Sequence, residues 1–169
     1  MLEFLARIEQ SGICTWIRES SSVWAYPTFI FLHSLGMGFL VGTSMVVDLR
    51  LLGFAPGVPL APMKKFFPAL WFGFCVSAAS GLVLTVIDIR KWLGDPLFYI
   101  KITFIALAML TGRLIWNRVF RDASGDDIRV PSGAKALAAA SLFLWLAAIT
   151  AGRLTAYLFM NSGLTVAAR

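Results

Sequence analysis

Apolar positions fall into four long runs, separated by short stretches rich in polar and turn-forming residues. The first covers about 24–53 and carries no charge from Trp24 to Val47 apart from the titratable His33. The others cover about 66–89, 97–119 and 136–160. A helix needs about 20 apolar residues to cross about 30 Å of hydrocarbon, and each run is that long. Backbone polar groups cannot stay unpaired in lipid, so the runs are predicted to be helices. Ahead of them, Leu2, Leu5, Ile8, Ile13, Trp16 and Ile17 alternate with charged positions at near-helical spacing. Residues 2–18 are therefore predicted to form an amphipathic helix lying on a membrane surface. Ser20, Ser21 and Ser22 offer a break and a cap after it.

The connections are short. Pro56, Gly57, Pro59 and Pro62 stop the first run, and Gly94-Asp95-Pro96 reads as a compact turn. Residues 120–135 are polar, with Asp122, Ser124, Gly125, Asp126 and Asp127. Short connections favour antiparallel neighbours. The expected fold class is all-α: a polytopic four-transmembrane-helix up-down bundle in a single membrane domain, 1–169, preceded by the N-terminal amphipathic surface helix.

Composition agrees. Apolar residues make up 59% of the chain and charged residues 14%, against about a quarter charged in a soluble domain. The net charge of +6 sits mostly at the ends of the apolar runs. That placement suits lipid headgroups, and no nucleic-acid motif accompanies it. Arg7, Arg18, Arg90, Lys91, Lys101 and Arg169 fall on the side of the termini; Arg50, Lys64, Lys65, Arg118, Arg121, Arg129 and Lys135 fall on the other. The near tie leans towards a periplasmic N-terminus. Residues 1–20 lack the pattern of a cleavable signal, so insertion is expected to rely on the first span. Cys14 and Cys75 have no metal-binding spacing and are expected to be free, buried thiols.

Two stripes of small residues recur every four positions: Ser34, Gly38 and Gly42 in the first run, Gly73, Ser77 and Gly81 in the second. Such stripes let helix backbones approach closely in lipid. The expectation is that the two pack on each other, with dimerisation as the alternative.

Ionisable groups inside a span are costly and so are candidates for function. His33 is the sole histidine, on a helical face with Met37, Leu40, Ser44 and Asp48. It reads as a neutral side chain bonded between helices, or as a haem ligand or quinone partner. Lys101, Arg153 and Tyr157 fall at similar depth, and with His33 they form a candidate cofactor-binding set for a haem propionate, a lipid phosphate or a quinone headgroup. Arg153 alternatively pairs with Asp88, and Lys101 snorkels. Asp48 and Arg113 fall at comparable depths in the first and third spans and read as an intramembrane ion pair, the alternative being a proton- or ion-handling role. No HExxH, GxSxG, Walker A or GxGxxG motif is present. No catalytic residue and no metal site is named, and the reading leans away from an enzyme.

Leu32-His33-Ser34-Leu35-Gly36, Gly42 and Asp48-Leu49-Arg50-Leu51-Leu52-Gly53 resemble a family of small bacterial inner-membrane proteins of unknown function. The likeness continues through Pro68, Gly73-Phe74, Ser80-Gly81-Leu82 and Phe98-Tyr99-Ile100-Lys101, over roughly residues 24–120. It implies a multi-pass protein of the bacterial cytoplasmic membrane and brings no established activity. More distantly, the chain is similar to b-type cytochrome bundles and the membrane part of copper resistance protein D. Those place histidines on several helices; here Asn117 or a neighbour stands where the family often has a second one near the end of the third span.

Three functions follow as expectations. The first is a non-enzymatic accessory or structural subunit, partnered by the lipid bilayer and by a homo-oligomer or larger membrane complex. The second is a redox module holding haem b or quinone through His33. The third is a small transporter or proton path along His33, Ser44 and Asp48.

Overall fold

A computed structural model describes residues 11–20, 22, 24–121 and 130–167. The expected helix over 2–10 and the polar segment 122–129 lie outside the described residues, with Arg7, Arg129 and Arg169. Helix makes up 86% of the structure and the described residues include no strand, so the class is all-α.

In chain order the helices are α1 (Gly12–Glu19), α2 (Tyr26–Leu52), α3 (Phe66–Ile87), the short α4 (Ile89–Leu93), α5 (Pro96–Ile115) and α6 (Ser132–Ala167). A 3₁₀ turn, Ala61–Lys65, leads into α3, and a π-helical turn, Trp116–Phe120, extends α5. Four stretches are long and apolar enough to cross a membrane: Tyr26–Leu52, Ala61–Ile87, Pro96–Phe120 and Ser132–Thr155. Large apolar side chains stand well out from them. Phe31, Phe72, Leu82 and Phe143 are each more than 60% exposed, a surface that lipid tolerates and water does not.

Local chemistry sets the helix ends. α2 stops at Gly53, whose φ of +104° suits glycine. There the Phe54 N–H donates to the Leu49 carbonyl at 3.0 Å and the Gly53 N–H to the Arg50 carbonyl at 3.1 Å. This is the Schellman pattern, which satisfies two of the last carbonyls. The Arg50 side chain then donates to the carbonyls of Val58 (2.6 Å) and Pro56 (3.0 Å), pinning the loop. α5 begins with Asp95, which accepts from the Leu97 N–H at 3.0 Å, and Pro96 occupies the first turn.

The chain divides into two compact units, Met1–Thr43 with Lys65–Gly94 and Ser44–Lys64 with Asp95–Arg169. In the first, α1 packs on α3 and buries Cys14 and Ile17. The α3 face at Phe67, Leu70, Gly73, Ser77 and Ser80 is buried. Cys75 lies off that face and is exposed, which corrects the expectation that both thiols are buried; both are free. In the second unit α5 and α6 pack along each other. The buried stripe of α6 is Ala134, Ala138, Ser141, Trp145, Ala148, Ala151 and Thr155, at steps of three and four.

Candidate functional site

Among the described residues, each unit contains a polar cluster within its apolar helices. In the first unit the cluster forms where α2 meets α3. A Cβ placed on Gly36 would lie 2.6 Å from the Ser77 backbone nitrogen, and one on Gly73 would lie 2.7 Å from that of Leu40. The helices therefore touch backbone to backbone. The expected stripe on α3 does pack, but its partner on α2 is the face of His33, Gly36 and Leu40. Ser34, Gly38 and Gly42 are exposed instead. They line an open groove of about 460 Å³ with Leu35, Phe39 and Thr43. The reason is steric and polar together: only one face of α2 can carry both the closest glycine and the histidine.

His33 lies over Gly81, whose missing Cβ would stand 2.9 Å from the ring's Cε1. Its Nδ1 is 2.8 Å from the Ser77 carbonyl oxygen and 3.3 Å from the Ser77 hydroxyl. A carbonyl only accepts, so Nδ1 carries the proton, and in the neutral ring the lone pair falls on Nε2.

The second cluster joins the end of α2 to α6. Asp48 is 1% exposed, Ser44 4% and Ser141 0%. The Trp145 indole N–H donates to Ser44 Oγ at 2.9 Å. Indole can only donate, so the Ser44 hydroxyl keeps its own proton for Asp48 Oδ2, 3.3 Å away. Ser141 Oγ is 3.4 Å from Ser44 Oγ. Asp48 thus bonds to a neutral group. Arg113 is exposed on α5, and among the described residues no ion pair joins it to Asp48. The structure does not bring the two together.

Of the candidate cofactor set, His33 belongs to the first unit and Lys101, Arg153 and Tyr157 to the second. The Lys101 stem runs across Gly152, where a Cβ would stand 3.5 Å from its Cε. No hydrogen bond joins the Lys101 ammonium to a described residue. Arg153, next in sequence to Gly152, is exposed, as is Tyr157. Ser141 and Trp145 were not singled out in the sequence. Their signal is a serine and a tryptophan four apart within a stripe of alanines on one face of a helix.

The chain matches no family model, no curated protein and no solved structure in the three comparisons made. The likeness over residues 24–120 therefore rests on its own motifs.

Proposed function

We propose that the chain is a multi-pass integral protein of a bacterial cytoplasmic membrane, serving as a non-enzymatic accessory or structural subunit of a membrane assembly. One observation carries this reading: His33, Ser44 and Trp145, polar groups within the apolar helices, each bond across to a neighbouring helix. His33 bonds to Ser77 and Trp145 to Ser44 across helices, while Asp48 bonds to Ser44 within α2. Interhelical hydrogen bonds of this kind act as cement between helices in lipid. The outward groove of Ser34, Gly38 and Gly42 leaves a face on which another helix can approach closely. Mild-detergent extracts of native membranes, resolved by native electrophoresis, are expected to hold the protein in a defined species larger than the monomer. Gly38→Leu, which fills the groove, should release the monomer without unfolding it. A wild-type protein that is monomeric throughout would sink the reading.

A second reading, a redox module holding b-type haem or a quinone, is favoured by the His33 tautomer. Nδ1–H donated to a backbone carbonyl is the arrangement that orients a ligating imidazole. The chain offers one histidine, so a haem would need its second axial ligand from another residue type or another chain. A reduced-minus-oxidised spectrum of the same preparation decides for haem: a b-type signal lost in His33→Ala supports it, and a flat spectrum from haem-replete cells rejects it.

A further inference from the structure

The geometry points to a further site: Lys101 and Arg153, on the packed pair α5 and α6, hold the phosphate of an anionic phospholipid. Three observations lead there.

The first is charge without an answer in the protein. Arginine keeps its proton in a folded chain, so Arg153 cannot become neutral to suit its surroundings. It is exposed on α6, inside a stretch long and apolar enough to span a membrane. It joins no described residue in a hydrogen bond or ion pair. A charge in that setting draws a partner of opposite sign. The described acids of the second unit are turned elsewhere. Asp95 accepts from the Leu97 N–H at the start of α5. Asp48 accepts from Ser44, and Ser44 lies beside Ser141, which precedes Arg153 by about three turns, or about 18 Å along the helix.

Convergence is the second. α5 and α6 pack along each other, and the missing side chain of Gly152 makes room for Lys101. A Cβ there would stand 3.5 Å from the Lys101 Cε and 3.7 Å from its Nζ. Arg153 is the next residue, and consecutive Cα atoms are about 3.8 Å apart. The ammonium thus stands beside the Arg153 backbone, and one phosphate can meet both cations. Tyr157, exposed one turn further on, adds a hydroxyl on the face of Arg153.

The third is depth and surroundings. The apolar stretch of α6 ends at Thr155, just past Arg153. Lys101 lies in the second turn of α5, about 7.5 Å from its first residue, Pro96. Its stem tilts towards that helix start, the direction of the headgroups. The exposed neighbours are apolar, Leu154 and Leu158 on α6 and Ile100 on α5. A free anion would lose hydration beside them, whereas a phospholipid brings acyl chains that cover them. A zwitterionic headgroup carries a cation of its own, so a net-negative one answers the two basic side chains better.

The test is native mass spectrometry of the full chain in mild detergent, with phosphatidylglycerol or phosphatidylcholine of matched acyl chains titrated in. Wild type is expected to retain one phosphatidylglycerol per chain, saturably, and about 10-fold more tightly than phosphatidylcholine. Arg153→Gln and Lys101→Met should each weaken that binding about 5-fold, the usual worth of one basic residue at an anionic surface. The methionine keeps an apolar stem against Gly152. Arg113→Gln, which removes an exposed cation of α5 outside the patch, should bind as wild type does. A large excess of inorganic phosphate should displace no lipid. Equal binding of the two lipids, a folded Arg153→Gln or Lys101→Met that binds as wild type does, an equal loss in Arg113→Gln, or displacement by inorganic phosphate would each overturn the proposal.

Discussion

Single atoms decide whether α2 and α3 can meet. A methyl group on Gly36 would collide with the Ser77 backbone at 2.6 Å, yet one on Gly38 would meet nothing within 4 Å. Backbone cannot rotate away as a side chain does, so the helices themselves must separate. Gly36→Ala is expected to destabilise the protein by about 1–3 kcal/mol, the usual range for overpacking. Gly38→Ala, two residues on, should be neutral or raise stability by up to about 1 kcal/mol through helix propensity. Unfolding in mixed micelles measures both, and equal effects would contradict the assigned faces. Gly81 is a different case. Its missing Cβ would meet the His33 ring, a mobile group, so a methyl there displaces the imidazole from Ser77 and leaves the helix contact in place.

At the scale of elements, the ends of the helices depend on short-range chemistry. Gly53 holds a φ of +104°, and the Schellman bonds around it close α2. Gly53→Val should cost about 1–2 kcal/mol, because a branched side chain resists positive φ. The Arg50 clamp on Pro56 and Val58 depends on the same chain reversal, so the 54–60 loop of this variant should be cut faster by protease than that of wild type. An unchanged cleavage rate would place the reversal elsewhere. α3 shows the opposite logic along its length. Its buried positions step by three and four from Phe67 to Ser80, and small residues among them set how near a neighbour can come.

The whole molecule presents apolar surface outward on all four long helices. Spanning a bilayer makes a distinct prediction for Cys75, which is exposed in the middle third of α3. In a Cys14→Ser background, a membrane-impermeant maleimide added to both faces of native membranes should leave Cys75 unmodified. Denaturation in detergent should then label it fully. Rapid labelling in intact membranes would place that face of α3 in water and count against the span.

Sequence by itself determined the class and the four long apolar helices, because the cost of unpaired backbone in lipid leaves little choice once runs of that length are present. It also determined the inward face of α2. His33, Leu40, Ser44 and Asp48 share a helical stripe, and the last three are buried. Partner choice was not legible. The stripe of Ser34, Gly38 and Gly42 has the same spacing as a packing face, yet Gly36 makes the contact. Periodicity shows that a face exists and not which neighbour it meets. Likewise, similar depth suggested pairing Asp48 with Arg113, whereas the fold sets Ser44 beside the carboxyl and Ser141 and Trp145 beside Ser44. Depth along a helix follows from counting residues. The rotation of one helix about its axis against another is fixed only by the packing of both, and that rotation gave Asp48 a hydroxyl in place of the Arg113 guanidinium.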